Sequence, residues 1–185
     1  MAVRTKSATT APSQLATPTD LRTEGVQAIC DAVNPLIADS FALYVKTKNF
    51  HWHVSGAHFR DYHLLLDEQA ESILESIDIM AERVRRIGGA TLRSIGHIGQ
   101  LQTISDDNDE FVAPEQMIER LLEDNRHMAE MQRNAITVCE KYGDGATSNR
   151  LEEILDATEK RVWFLYEVSQ GALESTRSRS ERKIA

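Results

Sequence analysis

Helix-breaking residues are scarce in this chain. Its 185 residues include four prolines and nine glycines, with aromatics at 6%. Long stretches lack either breaker, which excludes a strand-and-turn architecture and points to helices. The two cysteines, Cys30 and Cys139, stand apart, in neither a CxxC pair nor any metal-ligand spacing. That excludes a disulfide scaffold and reads as two reduced core thiols of a cytosolic protein. No apolar run reaches the ~20 residues of a bilayer span, so no membrane partner is expected. The opening MAVRTKSATTAPSQLATPT has no apolar centre of the kind a signal peptide needs. A net charge of −8 argues against a generally basic nucleic-acid binder and suits a surface or cavity that attracts cations.

What is present is helical periodicity. The length allows one domain with a single buried core. Residues 1–19, rich in Ser, Thr, Ala and Pro, read as a disordered tail. A first helix is expected from Thr19 or Asp20, both good N-cap types, to about Val54, with Val26, Ile29, Val33, Leu36, Ile37, Phe41 and Tyr44 as its apolar stripe. Pro35 should kink it, and Ser55-Gly56 should stop it. A second helix runs from about His58 to Ile87, stopped by Gly88-Gly89, with Leu66, Ala70, Ile73, Ile77, Ala81, Val84 and Ile87 inward. Residues 88–113 form a long crossing segment with room for a short helix. A third long helix begins at Pro114, a favoured first-turn position, and reaches about Tyr142. After the Gly143-Asp144-Gly145 turn a fourth covers about Ala146 to Ala172, leaving 173–185 as a basic tail. Two short links and one long crossover give an all-α, ferritin-like four-helix bundle over residues 20–172.

The second helix carries an unusual pattern. His63 and Asp67 are spaced i,i+4, and so are Asp78 and Glu82; each pair therefore shares a helix face. Both lie on a stripe about 60° round from the apolar one, where a partner helix would pack. Asp67 and Asp78 are eleven residues apart, roughly 16 Å along a helix. If all four ligate one metal cluster, the second pair comes from another copy. Two antiparallel copies about a two-fold axis would make two identical centres. His51, twelve residues before His63, could turn back to complete the first half-site. Imidazole and carboxylate without thiolate suit a divalent ion such as Fe(II) or Mn(II). The bland alternative is that Asp67, Glu71, Asp78 and Glu82 form a solvated helix face.

One run of residues ties this pattern to a known family. Lys46-Thr47-Lys48-Asn49-Phe50-His51-Trp52-His53-Val54-Ser55-Gly56, followed by Phe59, His63, Asp67, Asp78 and Glu82, resembles the signature of the Dps proteins, also called mini-ferritins. The resemblance extends over residues 20–172, including Gly143-Asp144 with Thr147 and Trp163-Phe164-Leu165. It implies a hollow twelve-subunit shell with ferroxidase centres at two-fold interfaces. His51, His63 and Asp67 would come from one subunit, and Asp78 and Glu82 from its neighbour. Family members oxidise Fe(II) to Fe(III), preferentially with hydrogen peroxide, and store ferric mineral, which limits oxidative damage to DNA. By the same resemblance Glu82 is the strongest ligand or bridge, Trp52 stacks beside the centre, and Lys48 holds ordered water at a weaker metal position.

The chain departs from ordinary ferritins in having no Glu-x-x-His; Asp124-Asn125-Arg126-His127 is the nearest spacing and reads as a surface cluster. His53, His58 and His97 are not needed by the scheme. Iron entry through acidic three-fold pores, as the resemblance implies, makes Asp144, Glu152, Glu153 and Asp156 candidates, with Asn149 where an Asp is expected. DNA binding would fall to the tails, through Arg4, Lys6, Arg177, Arg179, Arg182 and Lys183. The expectation is thus a cytoplasmic ferroxidase, with nucleoid association depending on those tails. Two alternatives stay open: a nucleoid-binding shell with little ferroxidase activity, and a manganese or zinc site that stabilises a dimer without turnover.

Overall fold

A computed structural model describes residues 13–181, with side chains from 14 to 170. A single 3₁₀ turn, Ser13–Leu15, precedes five helices: α1 (Thr23–His53), α2 (Phe59–Arg86), α3 (Ile95–Leu101), α4 (Pro114–Lys141) and α5 (Gly145–Glu181), with no strand among the described residues. The long helices form a four-helix bundle. α1 packs along α2 and α4, α5 along α4 and α2, and the short α3 rests on α1. Its core is the shared interior of the four, where Ile29, Val33, Leu36, Leu43, Phe50, Leu66, Ile73, Met80, Leu121, Met128 and Leu165 are buried.

The boundaries follow from local chemistry. α1 closes at Val54, whose N–H donates to the Phe50 carbonyl at 2.8 Å, and Gly56 makes the turn at φ +95°. α1 also runs through Pro35 as one element. α2 ends where Gly88 adopts φ +87°, and a Cβ on Gly89 would lie 2.2 Å from the Cys30 sulfur, so the chain passes α1 only because that side chain is missing. Three boundaries differ from the sequence reading. α1 begins at Thr23, and Thr19 instead accepts the Leu21 N–H at 3.2 Å, closing a local turn. Within the supposed tail, the Leu15 carbonyl accepts from the Arg85 guanidinium at 2.6 Å, which ties residues 13–19 to the end of α2. α5 continues past Ala172 to Glu181, because Gly171 is a weak breaker and no proline follows.

Polar anchors fix the helices against one another. The buried Asp39 carboxylate on α1 accepts the N–H groups of Thr103 (2.5 Å) and Ile104 (2.9 Å) and the Thr103 hydroxyl (2.8 Å), pinning the crossing segment after α3. Lys46 on α1 pairs with Asp124 on α4 at 2.6 Å. Arg161 on α5 is buried and donates to Asn125 on α4, Ser72 on α2 and Thr158, all neutral oxygens, at 2.8–3.1 Å. Burial lowers the Arg161 pKa to about 10.

By length and mean hydropathy α1 is long and apolar enough to cross a membrane, but its apolar stretch is interrupted by Asp31, Asn34 and Asp39 and most of it is buried in the bundle. Both cysteine thiols are buried and unpaired, and burial raises them to about 11 (Cys30) and about 12 (Cys139).

Candidate metal centre

The antiparallel α1–α2 hairpin brings the end of α1 against the start of α2, and there the first half-site assembles. The His51 and His63 rings stack with centroids 3.7 Å apart and planes 23° from parallel. Each ring bonds the other residue's backbone: His51 Nδ1 lies 2.8 Å from the His63 carbonyl oxygen, and His63 Nδ1 lies 2.9 Å from that of His51. A carbonyl only accepts, so Nδ1 carries the hydrogen in both rings, and Nε2 is the nitrogen left with a lone pair to offer a metal. The same backbone bonds fix ring orientation, the usual office of the outer shell around a metal-binding histidine.

Asp67 completes the group. Its Oδ1 lies 3.8 Å from His51 Nε2 and accepts from Lys48 Nζ at 2.6 Å. The Lys48 hydrogen bond holds the Asp67 carboxyl below the usual carboxylate range, so the side chain is an anion at neutral pH. The structure also supplies a residue that sequence reading quoted only as part of a motif. Phe59, one turn before His63, sets its ring 5.1 Å from that of His63 at 30°. Its i,i+4 spacing was the available signal. Trp52 is 63% exposed on the last turn of α1. His53 bonds its Nδ1 to the Asn49 carbonyl at 2.8 Å and turns away, as its position on another helix face suggests.

The second half-site is open. Asp78 and Glu82 are exposed on α2, and Glu82 accepts from Arg86 one turn on. A straight helix puts Asp78 roughly 16 Å and Glu82 roughly 22 Å from Asp67 along its axis. Among the described residues no three His, Cys, Asp or Glu side chains in one chain form a ready metal cage. A surface groove of about 560 Å³ between α4 and α5, beside Leu122, Glu159, Val162, Trp163 and Tyr166, is lined by no residue of either half-site. Along the same stretch of α2, Leu64, Leu74 and Ile79 are 40–46% exposed, apolar surface that a partner helix would cover.

Of the pore candidates, Glu152, Glu153 and Asp156 are exposed on α5, and Glu153 pairs with Arg150 at 2.6 Å. Asp144 is corrected. It is 5% exposed; one oxygen accepts the Thr147 N–H at 3.0 Å and Arg83 at 3.0 Å, and the other accepts the Thr147 hydroxyl. It caps α5 and ties it to α2, buried in the single chain where the other three candidates stand exposed. Arg4, Lys6, Arg182 and Lys183 lie outside the described residues, as do the side chains of Arg177 and Arg179.

Fold and half-site define a ferritin-like protein, and comparison with known proteins agrees: the model of the ferritin-like domain family matches residues 30–171. A DNA protection during starvation protein of Halobacterium salinarum is 31% identical over 78% of this chain and 83% of its own length. An uncharacterised low-temperature-induced protein of Nostoc is 31% identical over 82% of this chain and 85% of that protein. Among solved structures, DpsC from Streptomyces coelicolor superposes with a TM-score of 0.81 at 30% identity, covering 89% of this chain and 95% of that one. The chain belongs to the Dps family of ferritin-like proteins.

Proposed function

We propose that two copies of this chain pair through antiparallel α2 helices and build two ferroxidase centres, each from His51, His63 and Asp67 of one subunit and Asp78 and Glu82 of the other. The observation that carries this is the reciprocal pair of Nδ1-to-carbonyl bonds, which leaves the Nε2 of both stacked rings unbonded to backbone, that of His51 3.8 Å from an ionised Asp67. Such an arrangement is costly for a mere surface patch and useful for a metal. Iron is the substrate. Two ferrous ions each give one electron to hydrogen peroxide; its O–O bond breaks and, with two protons, it leaves as water. No nucleophile or general base is required: the ligands set affinity and make Fe(III) accessible.

The ferric product is stored as mineral inside a closed shell, which the family resemblance puts at twelve subunits. Relatives named for DNA protection during starvation support a DNA-protecting role here, and the proposal places the protein in the cytoplasm beside the nucleoid. Basic tails would carry any DNA contact, with the steep salt dependence of phosphate binding. The test follows ferric absorbance after adding Fe(II) and then peroxide to the purified protein. A His63→Ala/Asp67→Ala double variant should lose the fast phase by at least a hundredfold, on the order of what ligand loss costs. Oxidation by that variant at the wild-type rate removes the proposed centre.

A further inference from the structure

The half-sites obey a symmetry that reaches one pair further along α2. His63 and Glu82 are equally distant in sequence from the Ser72–Ile73 peptide, and so are Asp67 and Asp78. A two-fold axis at that peptide, with the helices antiparallel, lays each residue opposite its counterpart and joins the ligands as proposed. Phe59 and Arg86 are also equidistant from that peptide and stand on the same stripe, each one turn beyond a ligand. The register that builds the metal centre therefore sets Arg86 opposite Phe59 of the partner subunit, at both ends of the pair. Both side chains have room to meet. Phe59 is 46% exposed, and Arg86 is 60% exposed and bonded only to Glu82 in the single chain.

We propose that Arg86 is a positioning residue shared between two partners: it rests on its own Glu82 when metal is absent and moves onto the ring of the partner's Phe59 when metal takes that carboxylate. A guanidinium over an aromatic face is a favourable contact, stronger where water is excluded, as at a subunit interface. The move releases Glu82 for ligation and covers the outer edge of the centre. The inference rests on the shared centre proposed above.

Zinc, which is redox-silent, is the probe. Its affinity for the assembled protein is read by calorimetry, with the mass in solution checked for each variant. Phe59→Leu should weaken zinc binding roughly three- to tenfold, the worth of a cation–π contact, and Phe59→Trp should restore it. In an Arg86→Gln background, Phe59→Leu should have no further effect. A loss of equal size in both backgrounds overturns the proposal, since Phe59 would then act only through the His63 ring or through packing. Should Phe59→Leu fail to assemble, a zinc-loaded crystal structure decides. A guanidinium within ~6 Å of the partner ring supports the shift, and one still on Glu82 overturns it. The two readings fail separately: wild-type zinc affinity in His63→Ala/Asp67→Ala removes the centre itself, whatever Phe59 does.

Discussion

The two half-sites on α2 differ in how much of their geometry one chain supplies. At the first, backbone carbonyls orient both imidazoles, a lysine holds the carboxylate and a phenyl ring covers His63. At the second, Asp78 and Glu82 stand in solvent with a single flexible arginine for company. The organised half has preorganisation of the kind that metal binding rewards, because the ordering of its ligands is completed during folding. The open half can afford none until a second helix covers it. On the proposed pairing, one chain supplies an organised half-site and, elsewhere on the same rod, the loose ligands for its partner's.

The sharpest way to break this contrast is to separate the halves genetically. One variant carries His63→Ala/Asp67→Ala and the other Asp78→Ala/Glu82→Ala; each alone should be inactive at the centre. Co-assembled, a mixed pair has one centre with both halves broken and one with both intact. Random mixing should therefore restore about a quarter of the centres, read as the amplitude of the fast ferric phase. No recovery in mixtures shown by mass to contain both chains would mean that each subunit builds its site alone.

Sequence shows the two halves with unequal clarity. The residue types and i,i+4 spacing of the candidate ligands were legible, and helix rise turns that spacing into the distance from which a second copy is inferred. Helix bounds were legible wherever a glycine or proline acts locally, as at Gly56, Gly88 and Pro114. The organisation of the first half was not, because the His51–His63 exchange of bonds joins two helices across a turn and no periodicity encodes it. Asp144 misled for a related reason. Beside a glycine turn and among acids it resembles a pore residue, whereas its oxygens are committed to Thr147 and to Arg83, distant in sequence. Arg161 sits in a charged Glu159-Lys160-Arg161 run and looks solvated; only the packing of α2, α4 and α5 reveals it as a core residue.

Arg161 bears on the contrast because its Nη1 donates to Ser72, on α2 between the half-sites. Removing it leaves Asn125 without a donor and a void among three helices. Arg161→Ala should cost about 3 kcal/mol, a fall in Tm of roughly 6–12 °C by calorimetry. A buried charge without a carboxylate contributes little net stability, so Arg161→Met should lie within about 1 kcal/mol of wild type or above it. Equal losses in both variants would show that the guanidinium itself, not its volume, holds the rod that spaces the halves.

The smallest effect belongs to Lys48, which separates the halves by charge. Its ammonium occupies the Asp67 oxygen that a metal would use, at 2.6 Å, and is the main cause of the lowered Asp67 pKa. Lys48→Met should therefore raise zinc affinity at pH 7 by roughly three- to fivefold, since a partly exposed pair is a weak competitor, while leaving Asp78 and Glu82 untouched. The carboxyl carbon of Asp67, followed by NMR without metal, should titrate at higher pH in the variant than in wild type, nearer the ordinary value of about 3.9. The sign for stability follows. A depressed folded pKa stabilises above the unfolded value, and the contribution fades as pH falls from about 4 through the lower folded one. Acid unfolding of wild type and variant should diverge above that window and converge below it. An unchanged Asp67 titration in Lys48→Met would show that His51 and His63, the lesser causes, suffice to hold the carboxylate ionised.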